Sequence, residues 1–396
     1  MRVGADRLGD AEVAALLRGG RVALLAHPAS VDRRCVHVAE RLRAIGAAPV
    51  IVFGPEHGYG GEAQDMIGVG DATDAHGVPV RSLYGEDESA LVPKPEDLAR
   101  ADVLVVDLQD VGARYYTFVW TAVLAARACA RAKVRVVVLD RPNPIGGEAW
   151  AIEGRPHADA KCTSFVGLVP TCVRHALTLG EMVAWRREEE RLDVELAVVR
   201  AEWDRSATAH AWDRPFVLPS PNMPTADTAL VYPGGCLIEG TNLSEGRGVT
   251  RPFEIVGAPW IDGRRLAREL EATGLPGFVA RPLVFQPTFH KHARALCGGV
   301  QIHPTDARAF RPYATYLALV ALARAQAPDR FAFRTERYEF RDDVPAYDLL
   351  TGCKEARERT LAGDDARAIA EDLSRTSAAD VEVHARALEA SVRVSR

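Results

Sequence analysis

Four short, unbroken apolar runs mark the first 140 residues: RVALLAH (21–27), APVIVFG (48–54), ADVLVVDLQD (101–110) and VRVVVLDRPNP (134–144). None alternates with polar residues. Continuous runs of Val, Ile and Leu are the pattern of strands buried on both faces, as in a parallel sheet. Between them lie stretches of helical period. RRCVHVAERLRAIG (33–46) places Cys35, Val38, Leu42 and Ile45 three to four apart, and residues 111–133 keep Arg127 and Arg131 on one polar stripe. Strand and helix in alternation predict βαβ units in a doubly wound, mainly parallel α/β domain of Rossmann-like type.

Each predicted strand ends in a polar turn: HPAS, GPEHG, DLQD and DRPNP. Open α/β sheets bind ligands outside the carboxyl ends of their strands. The same residues serve as helix caps, but four polar ends together favour a pocket. A dinucleotide fingerprint is absent after the first strand, and GYGGEA (58–63) follows the second. No phosphate-binding GxxxxGK[ST] loop occurs.

Beyond residue 145 the pattern is less regular. LPSPNMPTADTALVYPGG (218–235) is rich in Pro and Gly and reads as an extended connection, with the domain boundary beside it. The expected division is 1–230 for the Rossmann-like domain, which carries the strand-end loops, and 231–396 for a smaller α+β domain that completes a cleft. In the second part DGRRLARELEATGLPG reads as a helix, VARPLVFQPTF and GGVQIHPTD as strands, and RPYATYLALVALARAQAP as a helix. Two more helices follow near the C-terminus, the second with Ser377 as its N-cap.

Composition narrows the function. Lys and Arg number 49 against 54 Asp and Glu, a net charge of −5 that argues against a nucleic-acid protein relying on a basic face. No apolar run approaches the roughly 18 residues of a membrane span. The N-terminal stretch is too charged for a secretory signal, so an unexported, cytoplasmic protein is the expectation. The seven cysteines are widely spaced, without a CxxC, and fit neither a disulfide framework nor a zinc motif.

Several longer strings occur in a fixed order: FGPEHG, SLYG, DLQDVGARYYTF, VLDRPNPIGG, PSPNMPT, EGTNLSEGRGVTRPFE with GAPWID, and GVQIHPTD. With them the chain, from about residue 20 to 360, resembles the exo-β-N-acetylmuramidase (NamZ-type) family of peptidoglycan-recycling glycoside hydrolases. The resemblance implies an active site between the two domains, no cofactor, and peptidoglycan-derived muramoyl saccharides as substrate. The reaction it implies is release of non-reducing terminal N-acetylmuramic acid from its β-1,4 bond to N-acetylglucosamine. It leaves oligomeric state open. Many family members carry export signals, which keeps a periplasmic location in view. The family commonly has an arginine shortly after GPEHG; this chain has Gly60 there.

Glycoside hydrolysis requires an acid for the leaving oxygen and a second carboxylate for the oxocarbenium-like centre. Glu56, where a buried strand opens into a Gly-rich loop, is the expected acid, with His57 beside it as a positioning group. For the second carboxylate Glu239 and Glu245 are favoured over Glu62, Asp65, Asp107, Asp110 and Asp140. The lactyl carboxylate of muramic acid calls for an arginine, and Arg114, Arg141, Arg247 and Arg251 all fall in the strings above. Asp110, Asp140, Asn143, Asn222 and Asn242 are the further candidates for sugar contacts, and Tyr116 for stacking on a pyranose face. Two other readings compete. His27, His57, Asp107 and Asp140 at four strand ends are the ligand set of a metal-dependent hydrolase. Two α/β domains around a cleft also describe a glycan-binding protein without catalysis.

Overall fold

The computed structural model describes residues 1–64 and 66–396; Asp65 lies outside the described residues. The described residues form ten strands: β1 (Val22–Ala26), β2 (Pro49–Gly54), β3 (Ala72–Thr73), β4 (Pro79–Ser82), β5 (Val103–Asp107), β6 (Arg135–Leu139), β7 (Leu196–Val199), β8 (Ile255–Ala258), β9 (Phe278–Phe285) and β10 (Cys297–Pro304). The first seven make one sheet in the order β3-β4-β2-β1-β5-β6-β7. All of its pairs are parallel except β3 with β4. The last three make a small antiparallel sheet, β8-β10-β9, in the second domain.

The apolar runs of the sequence are explained by what covers the large sheet. Ala23, Leu25, Phe53, Leu104, Val106, Val136 and Val138 join a core with the helices Phe118–Ala132 and Leu179–Glu189. Their neighbours Val22, Leu24, Val52, Val103, Val105, Val137 and Leu139 join a second core with the helices Ala11–Leu17 and Val38–Ala44. Alternate residues of one strand thus enter opposite cores, and full burial of each such side chain contributes roughly 1.5–3 kcal/mol.

Two sequence expectations change. The helix expected over 111–133 begins only at Phe118, and residues before it form a loop that enters the cleft. The stretch read as an extended connection contains a helix, Ala226–Gly235, capped by Thr225 and carrying Pro233 inside it. The apolar core also crosses the expected boundary at 230, since residues of both domains belong to one cluster. The last helix, Ala378–Arg393, starts at Ser377 with a capping box and packs on Leu179–Glu189 of the first domain. Beyond it, Val198 donates its amide to the Val394 carbonyl and accepts from the Arg396 amide, so the C-terminal tail covers the β7 edge.

Candidate active site

β2 carries Glu56 to the site. A Cβ at Gly54 would stand 2.5 Å from the Tyr59 amide, so glycine lets the chain fold straight back after the strand. Glu56 and His57 sit in that turn, both buried, and His57 holds a left-handed φ of 70°. A non-glycine residue there stores strain of order 1–3 kcal/mol, a feature that clusters at functional sites. The Thr117 hydroxyl donates to Glu56 Oε2 at 2.6 Å. Thr117 ends the loop after β5, so two strand ends on either side of β1 meet at this carboxyl. His57 Nδ1 lies 2.9 Å from the Ala63 carbonyl. A carbonyl only accepts, so Nδ1 is the donor there and carries a proton.

These groups line a recessed cavity whose empty space, with the part open to solvent, is about 480 Å³. The first domain supplies Glu56, His57, Tyr116, Thr117, Ser220 and Asn222 to its wall. The second supplies Tyr232, Glu239, Arg247, Phe253, Tyr338 and Glu339. Glu239 accepts from Arg247 Nη2 and from the Tyr338 hydroxyl, both at 2.6 Å. The Arg247 guanidinium also lies over the Phe253 ring, 5.2 Å from its centroid.

Glu245 stands behind this wall. It is fully buried and pairs with Lys291 at 3.0 Å, and with Arg247 and His290 at 3.2 Å each. Burial alone would raise its pKa, but Lys291, Arg247 and His290 outweigh it and bring the carboxyl down to about 2. It is a fixed anion that anchors Arg247.

Six of the residues expected from sequence therefore meet in one cavity: Glu56, His57, Tyr116, Asn222, Glu239 and Arg247. The structure does not bring the others to its wall. Arg114 is wholly buried and donates to the carbonyls of Arg155, Thr171 and Leu350. Arg141 forms a two-pronged pair with Asp107 and donates to the Val31 carbonyl. Asp110 accepts from the Gly112 amide at 2.7 Å and faces His175. Asn143 packs against Gly112 and bonds the Leu177 carbonyl and Ile145 amide. Asn242 bonds the backbone of Arg330 and Ala332. Arg251 reaches Thr225 and Glu254.

Asp140 accepts from Thr178 and from the Gly180 amide at the start of the helix Leu179–Glu189. Burial, with Glu181 nearby, pushes its pKa up to about 7. In each of these cases the polar side chain holds loops together.

The metal-ligand set disperses in the same way. His27 engages the Pro219 carbonyl through Nδ1 and the Gln109 amide through Nε2, which leaves neither ring nitrogen for a metal. Burial, then the nearby Arg141, lowers its pKa to about 3. Among the described residues no group of three or more His, Cys, Asp or Glu is arranged to hold a metal ion.

Thr117, Tyr338 and Glu339 are among the wall residues that escaped the sequence reading. Thr117 lies within the quoted string DLQDVGARYYTF but was hidden by the expected helix. Tyr338 and Glu339 lie in RYEFRDD, which has no period of its own. Tyr338 and Arg341 pair through both backbone bonds, and between them Glu339 and Phe340 have φ of 45° and 68°. Two successive left-handed residues make a type I′ turn, normally Asn-Gly. A carboxylate and an aromatic ring in its place are the signal of a functional turn.

Carboxylates from two domains that line one polar cavity at the ends of parallel strands define a glycoside-hydrolase-like enzyme site. Comparison with known proteins agrees. The model for "Exo-beta-N-acetylmuramidase NamZ, N-terminal" matches residues 22–227, and that for its C-terminal part matches residues 230–381. The chain is 42% identical over 320 residues to the peptidoglycan beta-N-acetylmuramidase NamZ of Bacillus subtilis (strain 168), covering 80% of this chain and 76% of the relative. Two crystal structures of DUF1343 family proteins from Bacteroides fragilis NCTC 9343 share the fold. One has a TM-score of 0.85 at 30% identity and covers 98% of this chain and 97% of its own. The other has a TM-score of 0.74 at 26% identity and covers 98% of each chain. The chain belongs to the exo-beta-N-acetylmuramidase NamZ family of glycoside hydrolases.

Proposed function

We propose that this enzyme releases N-acetylmuramic acid from the non-reducing end of peptidoglycan fragments, with Glu56 as the general acid. The observation that carries this reading is the position of the Glu56 carboxyl. It lies at a strand end, fixed by Thr117, in a cavity that Glu239 and Glu339 of the second domain also line. In the reaction Glu56 gives its proton to the glycosidic oxygen as the bond from that oxygen to C1 breaks. Glu239 stabilises the positive charge that develops at C1, and water then adds there as a carboxylate of the site takes its proton. Of the four arginines considered for the lactyl carboxylate, Arg247 is the one on the cavity wall. Its planar guanidinium suits that group, and Lys291 balances the charge of Glu245 behind it. His57 orients a sugar hydroxyl.

Turnover of muramoyl-(β1,4)-N-acetylglucosamine, followed by proton NMR, tests the proposal. Glu56→Gln keeps the size of the side chain and its bond from Thr117, and is expected to lower kcat by at least 1000-fold. A control disaccharide without the lactyl group is expected to react poorly. Unchanged turnover by Glu56→Gln would remove the acid assignment. Turnover of both disaccharides at equal rates would remove Arg247 from specificity.

A further inference from the structure

A second cavity adjoins the first and shares Glu339 with it. It holds about 850 Å³ of empty space and is more open to solvent. Tyr84, Gly85 and Glu86 of the first domain form one side, and Arg337, Glu339 and Phe340 of the second form the other. The type I′ turn at Glu339–Phe340 thus stands at the junction, with its carboxylate on the wall of both spaces. We infer that this second cavity is the binding site for the sugar on the leaving-group side of the scissile bond, a β-linked N-acetylhexosamine whose chain continues into solvent. The inference rests on the reading of the first cavity as the site of the terminal muramic acid residue.

Three features fit a sugar here. The first is shape. An enzyme that removes a terminal residue needs a recess for that residue and a more open passage for the remainder, and the two cavities, the second the more open, fit that order. The second is an aromatic shelf. Phe340 is half-buried, with its ring 5.3 Å from that of Tyr84 and 6.2 Å from that of Phe165. A half-buried ring held in this way on a cavity wall suits the apolar face of a pyranose. The third is polar decoration at the rim. The Arg337 guanidinium lies 6.0 Å from the Phe340 centroid and donates to the Glu86 carbonyl at 3.2 Å. Arg337 and Glu86 are both exposed, and so place donors and acceptors where hydroxyls and an acetamido group would lie. The strained turn is explained by the same role, since it is what presents Phe340 to one space and Glu339 to both.

The test measures binding of two ligands, free N-acetylmuramic acid and intact muramoyl-N-acetylglucosamine, to full-length Glu56→Gln by calorimetry. Arg337→Ala removes an exposed side chain. Phe340→Asn keeps a residue that tolerates positive φ. Either change, added to Glu56→Gln, is expected to weaken binding of the disaccharide about tenfold and to leave the affinity for N-acetylmuramic acid within twofold. Equal loss for both ligands, or loss for neither, would overturn the inference. If Glu56→Gln still hydrolyses the disaccharide, the acid assignment fails instead. The subsite is then read from KM, which must rise for the disaccharide in both variants. If wild type neither binds nor cleaves muramoyl ligands, the muramidase reading itself is lost.

Discussion

The Thr117 hydroxyl donates to Glu56 Oε2 at 2.6 Å, across the end of β1, and commits that oxygen to accepting. Under the proposed role of Glu56 as the acid, the proton it transfers belongs on the other oxygen, Oε1, and Thr117 fixes the carboxyl plane. Thr117→Val removes the donor while keeping the shape of the side chain. A neutral hydrogen bond of this kind is worth about 1 kcal/mol or somewhat more, so kcat is expected to fall roughly tenfold. KM should stay within about twofold, because Thr117 holds the acid rather than the sugar. Thr117→Ser should restore kcat. Steady-state kinetics on the disaccharide checks this, and a rise in KM at constant kcat would contradict it.

Arg114 is expected to matter for stability and not for substrate. Its guanidinium bonds the Leu350 carbonyl at 2.6 Å, the Thr171 carbonyl at 3.0 Å and the Arg155 carbonyl at 3.2 Å, so it joins the loop after β5 to the second domain. Arg114→Met leaves buried carbonyls without a donor, at a cost of about 3 kcal/mol or more. Thermal melts should show Tm lower by several degrees, with KM for the disaccharide unchanged at a temperature where the variant is folded. A large rise in KM with Tm intact would return Arg114 to the substrate.

The contrast between Glu56 and Arg114 shows what the chain reveals about itself. The strands were legible because each is buried on both faces and so leaves an unbroken apolar run. Glu56 was legible because its setting is local, at the end of such a run, beside glycines. Arg114, Arg141 and Asp140 sit in equally polar strings, but their roles depend on partners that the local string does not contain. Leu350 lies 236 residues from Arg114. The turn at Glu339 was invisible for the same reason, since its carboxylate meets Tyr84 across 255 residues. The helix Ala226–Gly235 was hidden by Pro233 and two glycines, which tertiary packing tolerates: a Cβ on Gly234 or Gly235 would collide with Pro312 or Phe253. Among residues 111–117, good helical spacing gave way to a loop that carries Tyr116 and Thr117 to the cavity.

Asp140 yields a prediction in which stability falls as pH rises. Its pKa is near 7 in the folded chain, against an ordinary 3.8. A carboxyl raised on folding favours the folded state while it is protonated, and that contribution disappears as pH climbs from about 4 through 7. The difference corresponds to roughly 4 kcal/mol. Asp140→Asn remains neutral, and its amide can still accept from Gly180 and donate to Thr178. Relative to wild type, the variant is therefore expected to gain stability between pH 5 and pH 8. Denaturant melts at the two pH values measure this, and a gap that does not change with pH would show that Asp140 titrates normally.

Glu245 should behave in the opposite sense. Its pKa is about 2 in the folded chain, against an ordinary 4.5, because Lys291, Arg247 and His290 overcome the cost of its burial. A carboxyl lowered on folding stabilises above its unfolded pKa, and that contribution is lost as pH falls from about 4.5 through 2. The shift corresponds to roughly 3 kcal/mol. Glu245→Gln lacks the charge and leaves Lys291 and Arg247 without their shared anion. The variant should thus be less stable than wild type by about 3 kcal/mol above pH 5. The gap should close as the solution is acidified toward pH 2, where wild type loses the same charge. Urea unfolding from pH 6 down to the lowest pH at which both proteins still fold follows that gap. A gap that stays constant with pH would mean that Glu245 contributes by packing alone, and that its ring of cations does not hold it ionised.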